Sequence, residues 1–333
     1  RFIIAESIAA AAPVIGELWT SGVAATVDLL GEATVTRAEG DAYGARCMEV
    51  LETLAAASAA WPSRPLLEAD GAGPLARSNL SVKVTALTPE IRPDAPRRGI
   101  EGALSRLRAL LRRARELGAH LHVDMESLDA RETTLGLVLE LLADDEFAQG
   151  PSAGLVLQAY LRDSPQELDQ ILAWVTATPR QPPLTIRLVK GAYWDHEVIE
   201  ARQHGWAVPV FERRADSDRN FEALTRRLLA AHPHVRLALG SHNLRSLAHG
   251  IAALPHYGLQ PRDLELQVLR GLGDDVQQSL ASMGLRVRTY CPVGELVAGM
   301  AYLVRRMLEN TANDSFLRAR AQGAPLPELL AAP

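Results

Sequence analysis

Short apolar runs rich in Val, Leu, Ile and Ala recur along the chain, separated by longer segments in which Leu, Ala, Arg and Glu follow helical spacing. Eight runs read as strands, at 25–30, 80–86, 120–126, 155–160, 184–190, 235–240, 264–270 and 285–290. Between them the helical period predicts helices such as 102–117, 165–175, 216–231 and 244–254, many opening after Ser, Asp or Pro as helix starts do. Strand–helix alternation requires parallel strands joined by right-handed crossovers. A doubly wound open sheet and an eight-stranded barrel both satisfy that rule. Eight units in a chain of 333 residues favour the barrel. The predicted fold class is therefore α/β, a (β/α)8 TIM-like barrel with an N-terminal helical segment, spanning residues 1–322. The Ala- and Pro-rich stretch 323–333 reads as a tail or linker. Pro- and Gly-punctuated stretches at 61–75 and 88–98 read as loops.

Composition narrows the function classes. With 47% hydrophobic and 23% charged residues the chain can bury a core, which excludes disorder and collagen. Thirty-five basic against 40 acidic residues give a net charge of −5, so no general positive field exists to hold nucleic acid, and none is expected as a partner. The two cysteines, Cys47 and Cys291, suit a reducing compartment and cannot build a zinc quartet or an iron–sulfur cluster. The apolar stretch 8–15 contains Pro13, follows Glu6, and is shorter than the roughly 18 residues a membrane span needs, so neither signal peptide nor anchor is expected. Because the chain opens at Arg1, a piece of a longer polypeptide is expected.

Polar residues sit at or just beyond the strand ends: Lys83, Asp124, Gln158, Arg187, Lys190, His242, Gln267 and Tyr290. Singly, each reads as a solvated loop residue. In a barrel, however, all carboxyl ends of the strands converge on one mouth, and the recurrence then describes a ring of functional groups. On the helix predicted at 294–310, Tyr302, Arg305, Arg306 and Glu309 share one face. Two adjacent guanidiniums beside an aromatic suit a small carboxylate; the competing reading is a surface helix with an Arg305–Glu309 ion pair. Arg187-Leu-Val-Lys-Gly-Ala-Tyr-Trp194 ends a strand with two cations, a glycine and two aromatics, which suits an anionic cofactor with a flat ring such as a flavin nucleotide. Here the alternative is snorkelling cations at a barrel rim.

Several motifs fail. Gly271-Leu-Gly273-Asp-Asp lacks the third glycine of the dinucleotide fingerprint and puts two acids where pyrophosphate would sit. Walker A, HExxH and Gly-x-Ser-x-Gly are absent. His120 and His122 share a strand face and His232 and His234 flank Pro233, but no ligand spacing appears and no catalytic metal is expected.

Taken together, Ser81-Val-Lys83, Val123-Asp-Met-Glu126, Gln158-Ala-Tyr160, Arg187 to Asp195, Ser241-His-Asn243, Tyr290-Cys-Pro-Val-Gly294 and Tyr302-Leu-Val-Arg-Arg-Met-Leu-Glu-Asn-Thr311 resemble the flavin-dependent proline dehydrogenases, including the proline dehydrogenase domain of bifunctional proline utilization A enzymes. The resemblance covers about 25–317. It implies that the barrel is distorted and carries FAD at its carboxyl mouth. The implied reaction is oxidation of L-proline to Δ1-pyrroline-5-carboxylate, the first step of proline catabolism to glutamate, by hydride transfer from substrate C5 to FAD N5. Electrons then pass to a membrane quinone.

By the same resemblance, Arg305 and Arg306 are similar to the substrate-carboxylate clamp, Lys83 to a substrate-site cation, and Tyr290 and Tyr302 to walls over the ring. Asp124 and Arg187 resemble the catalytic pair, with Arg187 near the flavin. Cofactor contacts are implied for Met125, Gln158, Arg187, Lys190, Gly191, Ala192, Tyr193, Trp194, Ser241, His242, Asn243, Gln267 and Glu309. Glu32 resembles a first-loop acid that pairs with one clamp arginine. Ser241 stands where threonine is commoner, and Arg270-Gly-Leu272 where Tyr-Gly-Met is commoner. The implied setting is cytoplasmic, with peripheral contact to the inner membrane and a fused aldehyde dehydrogenase domain in the native polypeptide. Three alternatives stay open: a barrel lyase or aldolase forming a Schiff base at Lys83 or Lys190, a flavoenzyme oxidising hydroxyproline, and a non-catalytic barrel kept as an interaction module inside a larger polypeptide.

Overall fold

The computed structural model describes residues 2–31, 34–297, 299–300, 302–304, 319–320 and 322–333. Eight parallel strands close a barrel: β1 (Val23–Leu29), β2 (Asn79–Val82), β3 (His120–Val123), β4 (Ser152–Gln158), β5 (Leu184–Val189), β6 (Val235–Gly240), β7 (Leu264–Leu269) and β8 (Arg286–Val293). Each pairs with its sequence neighbour, and β8 returns to β1 along seven partners from Val23↔Val287 to Leu29↔Val293. This is the (β/α)8 architecture predicted above. Several strand ends differ from expectation: the run at 120–126 stops at Val123, and that at 155–160 begins at Ser152 and stops at Gln158. The run at 80–86 stops at Val82, because Val84–Leu87 turns into one helical turn. The last strand continues past Tyr290 to Val293.

The N-terminal segment holds α1 (Ile8–Thr20) and α2 (Arg37–Ser58). Thr36 and Glu39 form a capping box that satisfies orphan N–H groups at the start of α2. The expected loop at 61–75 contains a helical turn, Pro65–Glu68, and a small ribbon pairing Ala69–Asp70 with Gly73–Pro74. The outer ring continues with α3 (Pro96–Glu116), α4 (Leu128–Leu142), α5 (Ser164–Ala177), α6 (Trp194–His204), α7 (Arg214–Ala230), α8 (Leu244–Ala253) and α9 (Asp274–Ser282). α3 shows why such segments pack as they do. Proline opens it, and Ile100, Ala103, Leu107, Leu110, Leu111 and Ala114 recur at three- and four-residue spacing on the face buried against the barrel, while arginines line the other face. The tail lies against the barrel's flank, where Arg245 donates to the Leu330 carbonyl and Arg219 to that of Pro333.

The apolar core lies between the strands and the helical ring, with Leu80, Leu121, Leu157, Ile186, Leu188 and Leu239 pointing outward into it. Inside the barrel the alternate positions are polar. His120 and His122 on β3, Arg236 on β6, Glu265 and Gln267 on β7, and Arg286 and Arg288 on β8 are all buried. Asp70, from the ribbon, plugs the floor: Arg236 holds it through two nitrogens at 3.0 and 3.1 Å, and Arg286 adds a third contact at 3.1 Å. Arg288 pairs with Glu265 at 2.9 Å. Its neighbouring cations hold the Glu265 carboxyl down at about 2, despite complete burial. His120 and His122 are joined at 3.1 Å. Burial and the surrounding arginines push His120 down to about 3 and His122 well below its usual value, so both are neutral.

Candidate active site

At the opposite end the strand termini surround a cavity of about 340 Å3. Its inward positions follow the strand period of two: Asp28 from β1, Gln158 from β4, Arg187 and Val189 from β5, Gly240 from β6, Gln267 and Leu269 from β7, and Tyr290 from β8. Lys83 and Asp124, each the first residue past its strand, complete the ring, and Tyr302 lies over it.

Asp124 is the hub. One carboxylate oxygen accepts from Arg187 Nη1 at 2.6 Å and from the Ser81 hydroxyl at 3.0 Å, while the other accepts from the Tyr290 hydroxyl at 2.6 Å. Lys83 Nζ lies 3.9 Å from that second oxygen and pairs directly with Asp28. The Arg187 guanidinium also stands 5.3 Å from the centre of the Tyr290 ring, so aromatic and cation brace each other. Burial, then the Asp124 and Asp28 carboxylates, push the Tyr290 hydroxyl well above its ordinary value, which keeps it a proton donor to Asp124. Among the described residues the deep end therefore carries two cations, Lys83 and Arg187, against two carboxylates, Asp28 and Asp124.

The wider wall is built by 124–126 and 190–193 with Ser241 and His242. Lys190 pairs with Asp218 of α7 and lies 5.7 Å from the centre of the Phe221 ring. Burial lowers its ammonium pKa, with Asp218 opposing. Gly191 has φ +130°, and a Cβ there would fall 2.3 Å from the Tyr160 ring, so this close approach of backbone to aromatic requires glycine. The Leu269 N–H donates to His242 Nε2 at 2.9 Å, which leaves the ring proton on Nδ1. Gln158 Nε2 donates to the Glu126 carbonyl at 3.0 Å, while its Oε1, buried in the same wall, has no partner among the described residues.

The predicted residues Lys83, Asp124, Met125, Gln158, Arg187, Lys190, Gly191, Ala192, Tyr193, Ser241, His242, Gln267, Tyr290 and Tyr302 thus all line one cavity. Trp194 and Asn243 stand outside its lining. The Trp194 indole donates to the Phe211 carbonyl at 2.9 Å, and Asn243 caps α8 by accepting from the Arg245 N–H at 2.9 Å. Arg305, Arg306, Glu309 and Glu32 lie outside the described residues. Asp28 was not anticipated from sequence. Its signal was an acid within Val-Ala-Ala-Thr-Val-Asp-Leu, a strand buried along its whole length.

The proline dehydrogenase family model matches residues 11–319. The chain is 32% identical to the bifunctional protein PutA of Salmonella typhimurium, over all of this chain and 25% of that one. It is 24% identical to proline dehydrogenase 1 of Bacillus subtilis, over 95% of this chain and 88% of that one. The solved proline utilization A of Bdellovibrio bacteriovorus, inactivated by N-propargylglycine, superposes with a TM-score of 0.95 at 39% identity, covering 99% of this chain and 34% of that one. The chain thus spans about a quarter to a third of the bifunctional proteins it matches. A family match across nearly its whole length, on a barrel whose mouth gathers the matching motifs, shows that this chain belongs to the proline dehydrogenase family.

Proposed function

We propose that the chain oxidises L-proline to Δ1-pyrroline-5-carboxylate with FAD bound at the barrel mouth. The observation that carries this reading is the convergence of Lys83, Asp124, Gln158, Arg187, Tyr290 and Tyr302 on one cavity. A flavin suits the residues present. Gln158 Oε1, without a partner among the described residues, is an acceptor awaiting a donor of the kind an imide N–H supplies, and Gly191 lets the 190–193 backbone seat itself against Tyr160 as the cavity wall. Lys190, His242 and the 191–193 segment would hold the phosphate and ribityl parts, with Arg187 beside the ring. Bound FAD supplies the oxidation itself by accepting a hydride equivalent.

The protein's share is binding and orientation. Lys83, joined by the arginines at 305 and 306, would hold the substrate carboxylate. The Tyr290 and Tyr302 rings would wall the five-membered ring. Asp124 already accepts from Arg187, Ser81 and Tyr290, so it is suited to fixing their positions rather than to taking a proton from the amine. Binding of the neutral amine then leaves the nitrogen lone pair free to form the imine. Arg187 would favour negative charge developing on the reduced ring. Tyr290 would crowd a hydroxylated substrate, which favours proline over hydroxyproline. The Schiff-base reading loses support at Lys83, whose ammonium lies between Asp28 and Asp124.

Electrons would pass to a membrane quinone, and the product to an aldehyde dehydrogenase domain in a longer polypeptide. The chain's site of action would be the cytoplasm, with peripheral contact to the membrane; among the described residues no helix is long and apolar enough to cross a membrane. The test is a visible spectrum of the protein supplied with FAD. A flavin band that bleaches anaerobically with L-proline is expected; absence of flavin binding, or a borohydride-trapped substrate adduct at lysine, would overturn the proposal.

A further inference from the structure

Two walls of the mouth are fastened to each other behind the cavity. Glu197 lies buried in the first turn of α6, its own N–H donating to the Tyr193 carbonyl at 3.0 Å. Its carboxylate accepts from the backbone N–H of Leu128 at 2.7 Å. Leu128 opens α4, and Ser127, the residue before it, provides no side-chain cap. Glu197 therefore satisfies, from a neighbouring helix, one of the orphan N–H groups at the start of α4, whose positive end suits its charge.

The two helices so joined are direct continuations of the two walls. Residues 124–127 run from β3 into α4 and carry Asp124, Met125 and Glu126; residues 190–193 run from β5 into α6 and carry Lys190, Gly191, Ala192 and Tyr193. Both segments are also tied to the end of β4, 124–126 by Gln158 on the Glu126 carbonyl and 190–193 by the Tyr160 ring against Gly191, the ring packing outside the cavity with Val198 of α6 and Leu128. The Glu197–Leu128 contact closes this frame from the outside. A local cap on α4 would stabilise that helix equally well without adding this direct polar tie between the walls.

We propose that Glu197 is a positioning residue for the cofactor, setting the separation of the 124–126 and 190–193 walls through the Leu128 backbone without touching the bound group. The inference rests on FAD binding at the mouth. It is tested by titrating FAD into the apoprotein and recording affinity, visible circular dichroism of the flavin, and melting temperature. Wild-type protein that binds no FAD refutes the functional reading; the variants speak to Glu197 once wild type has bound.

Glu197→Ala is expected to weaken FAD about tenfold and change the flavin dichroism, the size set by one charge-assisted hydrogen bond. Glu197→Gln, whose amide oxygen can still accept from Leu128, should stay within about twofold of wild type on the same scale. Adding Ser127→Asp to Glu197→Ala supplies a local cap, restores melting temperature and keeps the double variant foldable. FAD affinity should remain weak there. Wild-type affinity in Glu197→Ala, or its recovery in the double variant, would overturn the proposal by reducing Glu197 to a helix cap.

Discussion

Replacing Asp124 by Asn keeps the side-chain shape and removes one charge from a site whose described charges balance two against two. Arg187 loses an ionic partner at 2.6 Å, and Lys83 keeps only Asp28 as an ion-pair partner among the described residues. Breaking a buried pair by removing one member costs about 3–5 kcal/mol. The Asn oxygen can still accept from Arg187, and its amide can donate to the Tyr290 hydroxyl, so a loss of about 2–3 kcal/mol is expected after these contacts are credited. At about 1.4 °C per kcal/mol, from roughly 2.1 cal/mol/K of unfolding entropy per residue over 333 residues, the melting temperature should fall by about 3–4 °C.

The same substitution loosens the Arg187 guanidinium and the Tyr290 ring together. The expected fall in kcat/KM for proline is about 10- to 100-fold, equivalent to about 1.5–3 kcal/mol of transition-state stabilisation. Anaerobic stopped-flow reduction of the bound flavin by L-proline measures it, alongside a thermal melt. A variant that melts within about 1 °C of wild type and reduces its flavin at an unchanged rate would refute the reasoning, since a hub of three donors that can be neutralised without effect is no hub.

Tyr290→Phe removes only the 2.6 Å bond to Asp124 and should raise KM for proline about five- to tenfold, read from steady-state kinetics, while the ring wall persists. Gly191→Ala places a methyl 2.3 Å from the Tyr160 ring at φ +130°, so the wall must shift; bound flavin per protein should drop sharply in the absorption spectrum, with little change if the wall is not the flavin's. Glu167 on α5 is pushed up to about 7 by burial, so the fold opposes its ionisation. Its contribution is intact below the unfolded value near 4.5 and is lost as pH rises through 7. Glu167→Gln should therefore stabilise the protein by up to about 3 kcal/mol at pH 8 and by nothing near pH 4, measured by denaturant melts at both pH values.

Strand–helix alternation is visible in sequence because outward-facing strand positions must be apolar to meet the helices, as Leu121, Leu157 and Ile186 do. That requirement placed all eight strands. It failed at 80–86, where Val84, Ala86 and Leu87 continue the apolar run yet fold into a helical turn after Lys83, since burial alone does not distinguish strand from turn. The mouth residues were legible because ionisable groups at strand ends are out of place in packing. Asp28 was not, because it lies within a strand that otherwise reads as core, and only its pairing with Lys83 reveals its place. The polar floor was not legible for a related reason. His-Leu-His at 120–122 and Arg-Val-Arg at 286–288 alternate as surface strands do, and nothing local says that their polar face turns into a closed barrel.

The plug of Asp70 between Arg236 and Arg286 has a consequence for how this barrel can change over time. A single replacement there strands a charge where no solvent can reach it, whereas exchanging the trio together for apolar residues of matching volume removes the cost along with the attraction. Homologous barrels should therefore inherit these three positions as a block, drifting jointly or hardly at all. The ribbon that delivers Asp70 lies nearly fifty residues before β3 in a segment resembling a dispensable linker, so trimming that segment would unseat the bottom of the barrel while leaving the mouth's own residues intact.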